Sequence, residues 1–303
     1  MEYHKIKQKI FSLIPKIFQP KIRNFYYDNI VYPIYFLKYK INYGTWDFFD
    51  SIAIETTTYC NLRCTNCPNS KYARGLLENK KLMDITLFKK IINELAGIKY
   101  RGWILLHFYG DPLTDERLPN LVYYIKKTIP KSKIQINTNG FLLTISMYKK
   151  FISLGVKQFL ITQYGANMPL SIKKIFEYLK TRPRKENKIF YRVLEEDLAL
   201  SNRGGEIEVK KVADFERPIC IYPNTAVQVD YFGNVILCCN DYHSSIKFGN
   251  LKNEKLIDIW SKPAYKKIRK ELRKYIFKLP ICRKCVGLDK SVKNEKEKIS
   301  GKQ

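Results

Sequence analysis

The alternation of short apolar runs with amphipathic segments between residues 51 and 194 is the feature that most constrains the fold of this chain. Each apolar run is typical of a buried strand, and the segments between the runs carry apolar residues at helical spacing. Repeated strand–helix units predict a parallel sheet, because right-handed crossovers return each helix over the sheet and curve it into a barrel or a partial barrel. The predicted strands are residues 51–56, 103–108, 133–138, 158–162 and 189–194.

Polar or glycine-containing loops follow the first four of these strands. They contain the segments at 56–69, 109–112, 137–140 and 162–167. Because the carboxyl ends of parallel strands meet at one edge of a sheet, we expect these loops to form a single site. His107, at the end of the second strand, and Arg192, on the fifth, are candidate catalytic residues at that edge. A buried histidine satisfied by a backbone carbonyl is an open alternative for His107.

The strand–helix pattern changes near residue 212. Residues 226–239 predict a hairpin, and a helix is expected near 254–277. We therefore expect an α/β chain with four parts: an N-terminal extension, a barrel domain, a small α+β domain and a disordered tail. Their predicted bounds are 1–45, 46–212, 213–289 and 290–303.

Composition gives expectations about the cellular location of the chain and about its binding partners. The net charge is +27, which favours anionic partners, although a lysine-rich composition spread along the whole chain explains it equally well. Neither a signal peptide nor a membrane-spanning run is visible, so a cytoplasmic protein is expected. The basic extension carries apolar residues on one helical face over residues 6–18, which predicts packing on its own domain or peripheral contact with a membrane.

The chain has eight cysteines in two groups, which in a cytoplasmic protein indicates metal or redox chemistry rather than disulfides. The first group is Cys60, Cys64 and Cys67, in the loop after the first strand. Three thiolates leave one ligand position of a tetrahedral site open. A zinc site with a borrowed fourth ligand, three free thiols and an iron–sulfur cluster with one open iron are the alternatives.

The spacing C-x-x-x-C-x-x-C in a loop after the first strand of a partial barrel resembles the radical S-adenosylmethionine (radical SAM) superfamily. The resemblance implies a partial (β/α)6 barrel of radical SAM type. It also implies a [4Fe–4S] cluster on Cys60, Cys64 and Cys67, with SAM completing the coordination of the fourth iron. SAM is then cleaved reductively to a 5′-deoxyadenosyl radical, which takes a hydrogen atom from the substrate.

The same resemblance assigns SAM-binding residues. Gly110, Asp111 and Pro112 lie where the family has Gly-Gly-Glu-Pro, Asn139 lies in the common third-strand ending Thr-Asn-Gly, and Gln163 lies where a polar residue contacts the SAM ribose. The chain departs from the family at two positions. Tyr109 replaces a glycine, and Asn66 stands where an aromatic residue often packs near the adenine.

The second cysteine group resembles the auxiliary-cluster extension called SPASM, or its shortened form, twitch. The resemblance implies a second [4Fe–4S] cluster on Cys220, Cys238, Cys282 and Cys285, and Cys239 is the rival to Cys238. A zinc ribbon built on the same cysteines is the alternative.

Several reactions remain open within the family. A single auxiliary cluster resembles enzymes that oxidise or epimerise a sugar, an aminocyclitol or another small alcohol, in which that cluster accepts an electron. Modification of a peptide or protein side chain is the alternative, and a zinc protein associated with nucleic acid is a remote one. The expected partners are a small-molecule or sugar substrate, which the chain's charge would suit if it is anionic, and an electron donor such as flavodoxin or ferredoxin. Nucleic acid is not expected as a partner.

Overall fold

One continuous sheet organises the computed structural model, which describes residues 25–194, 202–208 and 220–289. Its eight strands have the spatial order β5–β4–β3–β2–β1–β6–β7–β8. The strands are β1 Ser51–Ile54, β2 Trp103–Leu105, β3 Lys133–Thr138, β4 Val156–Gln163, β5 Ile189–Val193, β6 Ala226–Val229, β7 Asn234–Ile236 and β8 Lys247–Asn250.

Helices connect the strands and cover one side of the sheet. They are α1 Tyr32–Tyr43, α2 Ile85–Gly97, α3 Leu118–Thr128, α4 Ile145–Ser153, α5 Leu170–Lys180, α6 Tyr222–Thr225, α7 Leu256–Ser261, α8 Pro263–Arg273 and α9 Pro280–Cys285. A π-helical turn at Tyr27–Val31 precedes α1. Short 3₁₀ turns lie at Pro68–Ser70, Ala73–Gly75, Pro112–Thr114, Arg184–Glu186 and Arg203–Gly205.

The α/β class and the five predicted barrel strands are confirmed, although β1 and β2 end earlier than predicted. Two of the helices begin with a side-chain cap. Asp84 accepts a hydrogen bond from the backbone N–H of Leu87, and Thr144 accepts one from Met147. Helices α2 to α5 each have one apolar face with a repeat of 3.6 residues. These faces pack on the isoleucine-rich side of the sheet and form the main hydrophobic core of the protein.

The hairpin region belongs to the same sheet as the barrel. β6 pairs in parallel with β1, from Ser51 opposite Ala226 to Ile54 opposite Val229, and β7 and β8 then continue antiparallel. The sixth parallel strand therefore lies beside the first and not beside the fifth. The predicted boundary at 212/213 falls outside the described residues, and β6 makes the sheet continuous across the two predicted domains.

The predicted helix near 254–277 is two helices. α7 ends at Ser261 and α8 begins at Pro263, because proline lacks the N–H that an uninterrupted helix needs and suits a first helical turn. Arg269 on α8 is 3% exposed. It pairs with Asp47 and stacks on Trp260, which fastens the C-terminal helices to the segment just before β1.

The described part of the N-terminal extension packs beneath the barrel. Tyr39 donates a hydrogen bond to Asp50, and Tyr43 stacks on Phe48 with ring centroids 4.0 Å apart. The amphipathic pattern at 6–18 and the tail at 290–303 lie outside the described residues. None of the described helices combines the length and the apolar character that a bilayer crossing requires.

Candidate functional site

The loop that carries Cys60, Cys64 and Cys67 leaves the carboxyl end of β1. All three thiols are half-buried. Backbone hydrogen bonds hold the loop at both ends of the triad, from Cys60 N–H to the Gly75 carbonyl and from Cys67 N–H to the Cys64 carbonyl. The triad therefore sits at the strand edge where the sequence predicts a site.

Burial makes the free thiolates of this triad unfavourable. Burial is the main cause that raises the pKa of Cys60 to about 11 and that of Cys64 to about 12. Electrostatic repulsion from a neighbouring thiolate of the triad raises both pKa values further. A bound cationic centre would reverse this balance, because metal ligation stabilises the thiolate form. Among the described residues, no three His, Cys, Asp or Glu side chains converge on a single metal ion. The thiol-rich donor set fits an iron–sulfur cluster.

The loop after β2 packs closely against the cysteine loop, partly through direct backbone contacts. A Cβ atom on Gly110 would lie 2.1 Å from the Thr57 carbonyl oxygen, which only glycine avoids. The backbone N–H of Asp111 donates to the Tyr59 carbonyl over 2.9 Å. Pro112 begins the 3₁₀ turn that follows. This contact fixes the predicted SAM-binding loop to the predicted cluster loop.

Asp111 joins three loops at the same edge. Its carboxylate accepts hydrogen bonds from the Thr138 hydroxyl at 2.8 Å and from the backbone N–H groups of Asn139 and Leu113, each at 2.9 Å. Burial raises the pKa of Asp111, and these donors act in the opposite direction. The observed role of Asp111 is to position the loops after β2 and β3. Its contact with the SAM amino group stays a prediction.

Asn139 links the third strand to the cluster loop. Its side-chain amide donates to the Asn61 side chain at 2.9 Å and lies 3.9 Å from the Cys60 sulfur. Gln163 is instead engaged within its own sheet. It accepts a hydrogen bond from the Tyr191 hydroxyl and donates to the Gly165 carbonyl. Asn139 is therefore directed at the triad, and the contact of Gln163 with SAM stays a prediction.

His107 lies inside the mouth of the barrel, two residues beyond β2. Its Nε2 atom is 3.1 Å from the Asn137 amide, and its buried Nδ1 atom has no hydrogen-bond partner among the described residues. Burial, followed by the charges of Arg203 and Arg192, lowers the pKa of His107 to about 4. The imidazole is therefore neutral at neutral pH, and because the Asn137 amide can only donate to Nε2, the ring proton lies on Nδ1. Arg192 donates to the Thr162 hydroxyl on the adjacent strand.

A buried ion pair at the end of β1 was not predicted from the sequence. Glu55 is fully buried and accepts two hydrogen bonds from the Arg74 guanidinium, at 2.6 and 2.9 Å. It also accepts the backbone N–H of Tyr231, in the turn between β6 and β7. Burial is the largest cause that raises the pKa of Glu55 to about 7. An acidic residue directly after an apolar strand was the available signal.

Tyr109, one of the two residues that depart from the family pattern, lies near cysteines of both groups. It is 8% exposed, and its buried hydroxyl has no hydrogen-bond partner among the described residues. Cys67 of the first group and Cys238 and Cys239 of the second all act electrostatically on its phenol. The half-buried Arg203 acts electrostatically on the same phenol and on Cys67 and Cys239. A phenol and a guanidinium therefore lie near thiols of both cysteine groups.

The second cysteine group lines one cavity of about 100 Å³. α9 presents Cys282 and Cys285 one turn apart, while the other cysteines precede α6 or follow β7. Its remaining wall is largely apolar. The five cysteines are Cys220, Cys238, Cys239, Cys282 and Cys285.

Two polar side chains distinguish the cysteines of this cavity. The Asn240 amide donates to the Cys285 sulfur at 3.3 Å, and the Tyr222 hydroxyl hydrogen-bonds Cys239. Burial raises the pKa of Cys220 to about 12 and that of Cys282 to about 12. As in the first group, this donor set fits an iron–sulfur cluster. Thiolates are unfavourable in an apolar pocket, and ligation of a metal stabilises them.

Comparisons with known proteins cover both groups. Residues 54–195 match the family model for the radical SAM superfamily, and residues 220–286 match that of the iron–sulfur cluster-binding domain SPASM. A relative from Niallia circulans, the S-adenosyl-L-methionine-dependent 2-deoxy-scyllo-inosamine dehydrogenase, is 30% identical over 82% of this chain and 96% of its own length.

Solved structures agree with these matches. A crystal structure of BtrN in complex with AdoMet and 2-DOIA has a TM-score of 0.69 and 28% identity, covering 78% of this chain and 92% of that chain. An open conformation of BtrN has a TM-score of 0.60 and 26% identity over the same shares. The fold is therefore more similar to the ligand-bound form than to the open form.

Iron content tests the assignment of the two cysteine groups. We expect anaerobically reconstituted protein to hold about eight irons, four for each cluster. The Cys60→Ala/Cys64→Ala/Cys67→Ala variant is expected to retain about four irons and to lose SAM cleavage entirely. Iron analysis and 5′-deoxyadenosine formation are the measurements. Two tightly held zinc ions in place of iron would contradict the assignment.

Single substitutions distinguish the rival ligands of the second cluster. We expect Cys238→Ala to reduce the iron content to about four and Cys239→Ala to leave about eight, because the hairpin spacing favours Cys238. The absorbance and iron content of the two variants are compared after identical reconstitution. The reverse result would make Cys239 the ligand.

Asp111→Ala tests the loop junction. Its removal leaves the donors of Thr138 and Asn139 without their acceptor, so we expect an unfolding free energy about 3 kcal/mol lower and a SAM affinity at least about tenfold weaker. Asp84→Ala, which removes a helix cap away from the site, is the control and is expected to cost about 1 kcal/mol without changing SAM affinity. Equal SAM affinity in the two variants would reject a role for Asp111 in SAM binding.

Proposed function

The chain belongs to the radical SAM superfamily and is a radical SAM oxidoreductase with a SPASM-type domain, and from this premise we propose that it oxidises a secondary alcohol of a small cyclic polyol. An aminocyclitol is the first candidate substrate. The supporting observation is that the relative named for 2-deoxy-scyllo-inosamine matches this chain over 96% of its own length.

The division of labour follows from the two cysteine groups. When bound, the first cluster with SAM supplies a radical that removes a hydrogen atom, and the auxiliary cluster supplies an acceptor for the remaining electron. Cys60, Cys64 and Cys67 hold the first cluster in this proposal. The second cluster is held by Cys220, Cys238, Cys282 and Cys285. The strands that lead to both cysteine groups belong to one sheet.

Several residues position the reactants in this proposal. Gly110, Asp111 and Asn139 fix the loops that hold SAM against the cluster, as their hydrogen bonds indicate. His107 donates a hydrogen bond to the substrate oxygen through its Nδ1–H group, because its Nε2 atom already accepts one from the Asn137 amide. Arg192, anchored on Thr162, orients the oxygen of the reacting alcohol.

The surroundings of the enzyme are part of the proposal. We place the barrel domain at 46–212 and the auxiliary domain at 213–289, and we expect a flavodoxin or ferredoxin as electron donor. A cytoplasmic location with peripheral membrane contact through residues 1–45 completes it.

Anaerobic turnover tests the function. Reconstituted protein is incubated with SAM, a chemical reductant and either 2-deoxy-scyllo-inosamine or a panel of related polyols. We expect one ketone formed for each 5′-deoxyadenosine with at least one member of the panel, because the substrate radical loses an electron and takes no hydrogen atom back from 5′-deoxyadenosine. The His107→Ala variant is expected to slow ketone formation at least about tenfold while retaining both clusters.

Two outcomes would contradict this proposal. One is 5′-deoxyadenosine formation without ketone for every polyol while a peptide substrate is modified, which would indicate a peptide-modifying enzyme. The other is an inverted carbinol centre with no net oxidation, which would indicate an epimerase. The triple cysteine variant controls for SAM cleavage that does not depend on the first cluster.

A further inference from the structure

Helix α1 exposes an apolar stripe on the side that faces away from the barrel. Ile30, Ile34, Leu37 and Ile41 recur every three or four residues and are 45%, 62%, 50% and 74% exposed. This spacing places them on one face. Trp46, just beyond the helix, is 54% exposed. These five residues are called the α1 stripe.

The opposite face of α1 already contributes to the core. Tyr32 and Tyr39 are buried, and the Tyr39 hydroxyl bonds Asp50 at the start of the barrel. A helix that packs on a sheet usually presents charged and polar residues to solvent, whereas α1 presents large aliphatic ones. Contiguous exposed apolar residues of this kind mark an interaction surface more often than isolated ones do.

The charge around the α1 stripe is positive. Lys40 and Lys38, the latter paired with Asp50, are exposed on the same helix, and Arg101 lies at its C-terminal end, where the Arg101 backbone N–H bonds the Tyr43 hydroxyl. Arg273 is 4.9 Å from the Phe36 ring centroid on the other flank. The residues that precede α1 in sequence, 1–24, contain six basic side chains and one acidic one. An apolar stripe within a basic surround complements an anionic lipid surface rather than another copy of this basic chain.

We propose that the α1 stripe binds the surface of a bilayer that contains anionic phospholipids. The helix lies in the interfacial plane, with its aliphatic side chains inserted at the acyl boundary and Trp46 at the headgroup level. The lysines and arginines at its flanks meet the lipid phosphates. This surface goes beyond the proposed reaction and does not depend on which substrate is oxidised.

The position of α1 decides how the bound enzyme is oriented. The helix packs at the amino ends of β1 and β2, through Asp50 and Arg101, whereas the cluster loop leaves the carboxyl end of β1. A bilayer under α1 therefore lies at the pole opposite the active-site mouth. The substrate and the electron donor reach the bound enzyme from the aqueous side.

Vesicle binding of the reconstituted full-length protein tests this surface. Co-sedimentation is measured with vesicles of phosphatidylcholine plus phosphatidylglycerol and with pure phosphatidylcholine, at low and high salt. Wild type is expected to bind the anionic vesicles, and this binding is expected to weaken as the salt concentration rises. Ile34→Glu/Ile41→Glu is expected to weaken binding at least about tenfold, and the neutral Ile34→Gln/Ile41→Gln several-fold. Tyr123→Glu/Leu170→Glu changes the charge equally at other exposed helix positions and is expected to stay within about threefold of wild type.

Each other outcome overturns the proposal. Absence of wild-type binding to the anionic vesicles at low salt would do so, as would an equal loss in the stripe variant and the matched control, which would indicate a charge effect alone. Sedimentation velocity without lipid gives the third outcome. A wild-type dimer that the Ile34→Gln/Ile41→Gln variant abolishes, together with no vesicle binding, would assign the stripe to a second copy of the chain.

Discussion

The fully buried carboxylate of Glu55 holds the cluster loop and the auxiliary region together. Arg74 reaches it from the cluster loop, and the backbone of Tyr231 reaches it from the turn of the auxiliary region. A buried charge of this kind is tolerated only when it is paired and hydrogen-bonded, so each partner has one allowed position. The same guanidinium lies over the Phe108 and Tyr242 rings. The loop that holds the first three cysteines is thereby fixed to both neighbours of β1.

Local signals in the sequence account for most of the barrel. Alternation of apolar periods predicts its five strands, and short polar side chains predict the caps at Asp84 and Thr144, because these interactions lie within one turn. The pairing of β6 with β1 joins residues about 175 positions apart, and no local pattern encodes it. The break before Pro263 was encoded locally, and the prediction of one helix at 254–277 overlooked it.

The candidate site divides in the same way. Cysteine spacing and loop positions indicated both clusters, and family membership removes the zinc alternative for the chain as a whole. The choice between Cys238 and Cys239 could not be made from spacing alone, because both line the cavity. The Glu55–Arg74 pair and the surroundings of Tyr109 depend on tertiary packing across several loops, so the sequence shows at most an acidic residue after an apolar strand and does not show its partner.

The parallel pairing of β1 with β6 also limits how modular the enzyme is. The sequence reads as two consecutive units, matched at 54–195 and 220–286, which suggests that either could be moved or removed. In the fold, a chain cut between them would leave β1 with a row of unpaired backbone groups along a former sheet interior. Such an edge recruits other strands and aggregates. We therefore expect the two units to fold as one cooperative unit. The auxiliary region then protects the edge of the barrel from aggregation and also carries the second cysteine group.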